Sequence, residues 1–301
     1  MVIMARQRGS MGLVLLVMML VVAMLVNLAL LAALREQKCE QEAALSSKLR
    51  LLCGSAMDCL WEQHPSQGVE QVSDGILEPG AEPVAVSYRS LWSADELIYC
   101  LETEALLPNH AGAVQGLRRL EFNLPTVFQT WAGKYALVAQ KPLQGAEYLT
   151  TEEIYTSNEE VIFPQTSFLQ GKGSNVLTPK HLQTDGLGAI FYYIPQSSVL
   201  ELPVGNIAGS GVIINRGRIA IPAGARFYDR VLLMSEASGI TIGKNAQLDK
   251  ALLIAYGTVT IEAGCVINGL IAANRIILKG ASSFTADADV VAPFVSAVTI
   301  M

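Results

Sequence analysis

Histidine is the side chain most often used for metal binding and for proton transfer near neutral pH. This sequence of 301 residues has three histidines, His64, His110 and His181. None of them has a second histidine or a cysteine at the spacing that zinc sites require. The sequence therefore predicts no metal site and no cofactor.

Two other segments have residue types that could do chemistry. The sequence GKGS at residues 171–174 superficially resembles a phosphate-binding loop, but the preceding strand and the glycine at the required offset are missing. A flexible loop is predicted there instead. Asp287 and Asp289 could ligate calcium, but a solvated chain end is the interpretation we favour. No Gly-x-Ser-x-Gly motif is present, and we expect a protein that is not an enzyme.

The five cysteines would allow a disulfide in an oxidising compartment. Cys53 and Cys59 are six positions apart, so they lie on different faces of a continuous helix and could be bridged only if the helix breaks at Gly54. Alternatively, one of these two pairs with Cys100, and buried thiols are the other interpretation. The cysteines for which no pairing is predicted are Cys39 and Cys265.

The chain that positions these residues begins with a strongly apolar segment. Residues 11–34 form a run of 24 without a charged side chain and with one amide, Asn27. A helix of this length spans about 36 Å, enough to cross a hydrocarbon core of about 30 Å. Arg6 and Arg8 precede the run, and a short basic tail normally stays in the cytoplasm. The rest of the chain is then predicted beyond the bacterial inner membrane, in the periplasm or in a surface filament.

Three interpretations of this segment are open. A cleaved secretory signal peptide has an apolar region of about 7 to 15 residues, which is much shorter than this one. An uncleaved single-span anchor is the second interpretation. The third is a leader peptide that is removed at the cytoplasmic face while the apolar helix is kept.

A resemblance to a known family favours the third interpretation. The sequence Arg-Gln-Arg-Gly-Ser at residues 6–10, directly before an apolar helix, resembles the start of bacterial type IV pilin-like proteins, especially the PilX-type minor pilins. The resemblance covers about the first 35 residues. It implies that prepilin peptidase recognises Arg6 and Arg8 and cuts between Gly9 and Ser10, and that other pilin-like subunits are partners. Major pilins have a glutamate at the fifth mature position, where this chain has Val14. This argues against a major subunit and is compatible with a minor subunit at a filament tip or with no filament at all.

The distribution of charge gives no sign of a nucleic-acid partner. The net charge is −6, and residues 65–204 have 7 basic and 16 acidic side chains, while residues 205–301 have 8 and 6. Neither region has the polybasic footprint of a nucleic-acid-binding surface. Beyond the apolar helix, the chain is long enough for one or two folded domains.

The segment after the apolar run predicts a continuation of the same helix. Residues 35–63 contain no proline, and leucine and alanine recur there at helical spacing. A long amphipathic helix is therefore predicted, with its outer half packed on a globular domain. The residues of the predicted buried stripe are Leu45, Leu49, Leu52, Ala56 and Leu60.

The middle of the chain, residues 64–204, predicts an acidic domain that is mixed α/β or mainly β. Short runs rich in β-branched and aromatic residues are separated by segments with proline, glycine and asparagine. The predicted strands lie at residues 84–88, 98–101, 134–139 and 189–194.

The last hundred residues contain an internal repeat. Four segments, 218–225, 239–246, 258–265 and 275–282, have two aliphatic residues two positions apart and then a turn with glycine or asparagine. Their first aliphatic residues are 21, 19 and 17 positions apart, and a second apolar run lies between them. A period near 19 with short strands is typical of a parallel β-helix, in which like positions stack about 4.8 Å apart.

This repeat predicts a C-terminal parallel β-helix of about four coils over residues 205–290, followed by a cap over 291–301. A β-sandwich with more closely spaced strands is the alternative. The stretches ITIGKNA and VTIEAGCVING resemble the bactofilin type of polymer-forming β-helix domain, over about residues 205–285. Within this region Cys265 is predicted to fill a small inward position.

Together these patterns predict a non-enzymatic subunit with a basic leader (1–9), a transmembrane helix (10–34), a helical extension (35–63) and the two regions beyond it. The pilin resemblance implies a role in type IV pilus assembly, competence-type DNA uptake or type II-like secretion. The alternative is an inner-membrane-anchored periplasmic β-helix scaffold that self-associates through open coil edges. A carbohydrate-processing enzyme would need clustered carboxylates, which the repeat lacks.

Overall fold

A computed structural model describes most of the chain. His110, His181 and the predicted loop at 171–174 lie outside the described residues. For residues 3–14, 69–76, 83, 114–115, 191 and 296–300 the backbone alone is described. The residues left undescribed are 1–2, 66–67, 77–82, 94, 107–113, 150–153, 162, 165, 171–190, 196–197 and 301.

The chain begins with one continuous helix, α1 (Ile3–Gln63), of 61 residues. It contains no proline, and Gly54 lies inside it without breaking it. The helix ends before His64, whose φ of 42° redirects the backbone, and Pro65 cannot donate the next helical hydrogen bond. The predicted apolar segment and its predicted extension therefore form a single rod, about 90 Å long at 1.5 Å per residue.

A five-stranded antiparallel sheet packs against the C-terminal half of α1. Four of its strands follow one another along the chain, and they include the strands predicted at 84–88 and 98–101. The fifth strand comes from the C-terminus, so the segment predicted as a cap is instead an edge strand of this sheet. In order across the sheet, the strands are β1 (Gly68–Ile76), β2 (Pro83–Trp92), β3 (Ile98–Leu106), β4 (Val114–Phe122) and β18 (Phe294–Ile300).

The C-terminal region winds into a parallel β-solenoid, as the repeat predicts. The aligned aliphatic positions stack in neighbouring turns: Ile219 lies on Ile240, Ile240 on Val259, and Val259 on Ile276. The strands are β7 (Phe191–Ile194), β8 (Leu200–Glu201), β9 (Asn206–Ile207), β10 (Gly211–Asn215), β11 (Ile219–Ile221), β12 (Arg226–Phe227), β13 (Val231–Ser235), β14 (Gly239–Ile242), β15 (Gln247–Ile261), β16 (Val266–Leu278) and β17 (Ser283–Thr285).

The solenoid has about six turns, more than the four predicted. One additional turn precedes the repeat, because β7, β8 and β9 pair in parallel with β10, β11 and β12. Another comes from far upstream: β5 (Leu137–Ala139) pairs with residues 271–273 of β16, and β6 (Tyr155–Ser157) pairs with β5. These added strands lack the repeated motif, so periodicity could not reveal them.

One face of the solenoid is buried on both of its sides. All five residues of β10 and all five of β13 are buried, although alternate side chains point in opposite directions. The outward-facing residues, such as Val212 and Leu232, pack in one cluster with α2 (Thr126–Ala132), a 3₁₀ turn (Ala288–Val291) and the antiparallel sheet. Strands buried on both sides are continuously apolar, which explains the second apolar run of the repeat. This cluster joins the solenoid to the sheet.

Candidate functional site in the helical stem

The first half of α1 exposes its apolar side chains. Every residue from 15 to 34 is exposed, with Leu15 at 62 % and Met19 at 68 %. The helix is long and apolar enough to cross a membrane, with a mean hydropathy of 2.8 in its most apolar window. An apolar surface of this size requires lipid or other apolar helices around it. Residues 15–34 are called the stem below.

The predicted processing residues lie at the start of the same helix. Arg6, Arg8, Gly9 and Ser10 belong to the backbone of α1, and their side chains fall outside the described part of the structure. The bond between Gly9 and Ser10 lies one residue before the apolar run of residues 11–34.

The second half of α1 lies on the antiparallel sheet. Leu49, Cys53, Met57 and Leu60 are buried and recur every three or four residues, which places them on one side of the helix. They form two neighbouring clusters with buried residues of the strands. The strand residues of these clusters are Val84, Val86, Tyr99, Leu101 and Ala105.

The predicted buried stripe of α1 is confirmed as the side of the helix that faces the sheet, although not all of its residues are fully buried. Leu49 and Leu60 are buried, while Leu45, Leu52 and Ala56 are partly buried beside them. The stripe prediction missed Cys53 and Met57. Their spacing from Leu49 would have included them, but leucine and alanine alone defined the predicted stripe. Burying this face against the sheet fixes the rotation of the helix about its axis.

An aromatic cluster holds the C-terminal end of α1. The ring of Tyr99 lies 4.5–5.3 Å, centroid to centroid, from those of Trp61, His64 and Trp92, and the ring of His64 lies 5.8 and 6.3 Å from those of Trp61 and Trp92. These distances are within the range of favourable aromatic pairs. Tyr99 is fully buried, and its hydroxyl has no hydrogen-bond partner among the described residues. Burial raises the pKa of Tyr99 to about 12, because an ionised phenolate would lose its hydration there.

A charged side chain of β4 contacts the C-terminal end of α1. The guanidinium of Arg119 lies 5.1 Å from the centre of the Trp61 ring, and its Nη2 is 2.8 Å from Asp58 Oδ1. Cation–π contacts of this kind contribute about 0.5–1 kcal/mol at exposed sites. The pair joins two successive turns of α1 to β4, so the sheet fixes the direction in which the stem leaves the domain.

The three cysteines of the predicted disulfide are not brought together. Because α1 is continuous, Cys53 and Cys59 remain on different faces of one helix, Cys53 buried and Cys59 exposed. Cys53 lies between α1 and the sheet, whereas Cys100 lies on the opposite face of β3, in the cluster shared with the solenoid. All three are thiols, so the disulfide stays a sequence prediction without support from this geometry. Burial raises the pKa of the Cys53 thiol.

The other candidate residues have structural positions. Cys265 is buried in the solenoid core, as predicted, and its thiol lies 3.1 Å from the Glu262 carbonyl oxygen. Asp287 Oδ1 accepts a hydrogen bond from the backbone N–H of Asp289 at 2.9 Å, which caps the 3₁₀ turn that follows. Within the described part of the chain, no group of three or more His, Cys, Asp or Glu side chains could hold a metal ion.

Comparisons of the whole chain with protein-family models, curated proteins and solved structures found no match.

Proposed function

We propose that this chain is a membrane-anchored, pilin-like minor subunit, non-enzymatic, of a type IV pilus, competence-type DNA-uptake or type II-like secretion machine. The observation that supports this most is the layout of α1. Its first half is an exposed apolar stem of membrane length, and its second half is buried against an antiparallel sheet. The sequence Arg-Gln-Arg-Gly-Ser at residues 6–10, which resembles a prepilin cleavage site, stands directly before the apolar run of residues 11–34.

In this proposal the helix has two successive partners. Before assembly the stem lies in the inner membrane, with Arg6 and Arg8 in the cytoplasm, as the bias of basic residues favours. Prepilin peptidase removes residues 1–9. The stem then exchanges lipid for the apolar helices of other pilin-like subunits, because both environments cover the same exposed side chains. The sheet and solenoid lie beyond the membrane, or at the surface of a filament.

The test is a matched pair of glycine variants in the full chain, expressed in membranes that contain prepilin peptidase. Gly9→Leu places a bulky side chain at the residue before the proposed cut, and Gly12→Leu makes the same change three positions later. We expect Gly9→Leu to remain uncleaved and Gly12→Leu to mature like the wild type. The molecular mass of each membrane-extracted chain reports cleavage. Equal maturation of Gly9→Leu and the wild type would exclude prepilin processing at this bond.

A second candidate function is an inner-membrane-anchored periplasmic scaffold that self-associates through the end of the solenoid. The observation that favours it is the first turn, where β7, β8 and β9 each pair on one side only among the described strands. Two apolar side chains of this turn are exposed, Val199 at 56 % and Val204 at 66 %. Open backbone edges next to exposed apolar residues are sites of strand pairing between chains.

The Val204→Lys variant separates the two candidates. A scaffold that associates through this turn should dissociate when a charge replaces the exposed valine, while cleavage at Gly9 is irrelevant to it. A pilin-like subunit should mature and assemble with the same efficiency in the Val204→Lys variant as in the wild type. Cross-linking in intact membranes, followed by mass measurement of the cross-linked species, distinguishes these results.

A further inference from the structure

The outer surface of one solenoid face has a regular arrangement of polar side chains. On this face Phe227, Leu248 and Ile267 point into the core and are buried, so the residues on either side of them point outward. Arg226 pairs with Gln247, and Gln247 pairs with Val266, in three successive turns. The outward residues therefore form two columns whose members are about 4.8 Å apart. The residues that follow the three core positions, Tyr228, Asp249 and Asn268, form the second column and line one common hollow.

Tyr228 is the aromatic residue of this surface, and its side chain is held in place although 48 % of it is exposed. Its hydroxyl donates a hydrogen bond to Asn206 Oδ1 at 3.1 Å. In the next two turns, Asn268 Nδ2 donates to Asp249 Oδ1 at 3.2 Å. Each contact uses part of the hydrogen-bonding capacity of its groups, so acceptor and donor positions stay available beside the exposed ring.

Two hollows meet at Tyr228. One has a volume of about 290 Å³ and is lined by Gln247, Asp249, Val266 and Asn268, among others. The other has a volume of about 420 Å³ and extends toward the C-terminal segment of the chain. The residues that line this second hollow with Tyr228 are Ser210, Asp229, Arg230, Lys250, Asp289 and Ala292.

Lys250 lines the second hollow from an unfavourable backbone position. Its backbone has a φ of 50°, in the left-handed region that costs a residue with a Cβ about 1 kcal/mol or more. In neighbouring turns a glycine with positive φ lies near this corner, Gly209 before β10 and Gly269 opposite Ala251. A lysine with unfavourable backbone geometry thus lines the hollow at a corner where glycine would be the unstrained choice.

The charges around the hollows limit the class of ligand. Asp229, Asp249 and Asp289 are accompanied by Arg230 and Lys250, so acidic and basic groups are nearly balanced. The Arg230 guanidinium also donates to two backbone carbonyl oxygens. This surface therefore lacks the concentrated positive charge that phosphate or nucleic acid requires. The described residues likewise offer no three-ligand group for a metal ion.

From this arrangement we propose that the two hollows around Tyr228 bind a glycan chain. A pyranose ring has an apolar face, which suits the exposed phenol ring, and a rim of hydroxyl groups, which suits the carboxylate and amide side chains of Asp249, Asn268 and Gln247. The first hollow is lined by residues of three successive turns, so neighbouring sugars of a polymer would contact successive members of the same columns. This inference rests on the solenoid and the segment that directly follows it, and it is independent of processing at Gly9.

The test is co-sedimentation of the detergent-solubilised full chain with insoluble cellulose, chitin and purified bacterial cell-wall sacculi. We expect the wild type to bind at least one of these polymers. Tyr228→Ala should reduce that binding at least tenfold, and Tyr228→Phe should retain most of it because the ring remains. The matched control is Tyr148→Ala, which removes another tyrosine that is 38 % exposed but lies outside the hollows.

Two further measurements make the result specific. Thermal unfolding of Tyr228→Ala should match that of the wild type, because the side chain is half-exposed and outside the core. Binding should also persist when the salt concentration is raised about tenfold. Salt screens ionic attraction between exposed groups, whereas the proposed contacts are ring packing and hydrogen bonds to an uncharged polymer. The proposal is overturned if the wild type binds none of the three polymers, or if Tyr228→Ala and Tyr148→Ala bind equally well.

Discussion

The helix–sheet region and the solenoid reach a buried core in different ways. In the helix–sheet region every contact is individual: α1 covers one face of the sheet, and the other face contributes Cys100 and Leu120 to the cluster shared with the solenoid. In the solenoid the same contact is repeated from turn to turn, as in the ladder from Ile219 to Ile276. A repeated contact fixes its own register, whereas an individual contact depends on residues that are distant in the sequence.

The two regions are also joined by an exchange of segments. The chain before the solenoid supplies β5 and β6, which cover its C-terminal end, and the chain after the solenoid supplies β18, which completes the sheet. Neither region therefore has all of its strands from one continuous stretch of sequence. We expect them to unfold together, although their architectures differ.

The largest expected effect is a cavity in the solenoid core. Leu253 is fully buried there, and Leu253→Ala should lower the free energy of unfolding by about 2–5 kcal/mol. In a Trp131→Phe background the remaining tryptophans, Trp61 and Trp92, report on the helix–sheet region. Their fluorescence transition should move together with the loss of far-ultraviolet circular dichroism.

The control for this experiment is Leu51→Ala, because Leu51 is 72 % exposed on α1. It should leave both transitions within about 0.5 kcal/mol of the wild type. If Leu253→Ala shifts the circular dichroism transition but not the tryptophan transition, the two regions unfold independently and the exchange of segments does not couple them.

A smaller effect is expected at the junction between the regions. Arg230 Nη1 and Nη2 donate to the carbonyl oxygens of Ala292 and Pro293 at 3.0 and 2.8 Å, and its Cζ lies 4.2 Å from the centre of the Phe294 ring. Arg230→Gln should weaken this attachment by about 1–2 kcal/mol. Amide hydrogen exchange should then increase in β18 and β4. The exposed Arg218→Gln serves as the control, and equal exchange in both variants would show that Arg230 does not hold β18.

A stabilising change of similar or smaller size is expected between α1 and the sheet. The buried hydroxyl of Tyr99 has no partner among the described residues, and burial of an unpaired polar group costs about 1–3 kcal/mol. Tyr99→Phe keeps the ring and should raise the free energy of unfolding by about 1 kcal/mol. Denaturant unfolding measures the change. A loss of stability would mean that the hydroxyl makes a favourable contact, for example through an ordered water molecule.

The smallest effect concerns pH. Burial raises the pKa of Glu236 above its ordinary value, with Arg216 opposing the shift, and one carboxylate oxygen is buried without a partner among the described residues. The folded state thus holds this proton more tightly than the unfolded state does. Stability should fall as the pH rises from the ordinary value through the raised value. Glu236→Gln should remove this part of the decline, and parallel stability curves for the two proteins would contradict the assignment.

The sequence predicted the regular parts of this molecule better than its long-range connections. The ladder of Ile219, Ile240, Val259 and Ile276 follows from spacing alone, because a parallel coil stacks each residue on its equivalent in the next turn. Two turns were missed. The pairing of Leu137 with Ile271 joins segments that share no motif and are far apart in sequence. The turn of β7, β8 and β9 directly precedes the repeat but lacks its motif. Similarly, nothing local indicates that Phe294 begins a strand beside β4.

Helix α1 shows the same division between local and long-range properties. The length and apolar composition of its first half, and the continuity with the helical extension, could be predicted because they are local properties. The predicted stripe was also largely correct, since Leu49 and Leu60 are buried. The separation of Cys53 from Cys100 by the sheet could not be predicted, because it depends on which side of β3 faces the helix. The spacing of the cysteines along the chain gives no information about that side.

The most direct test of the proposed function is the intact mass and N-terminal sequence of the wild-type protein extracted from its own membrane. We predict a mature chain that begins at Ser10 and retains the whole stem. A chain that still carries residues 1–9 would contradict the pilin-like assignment and would favour the anchored solenoid scaffold instead.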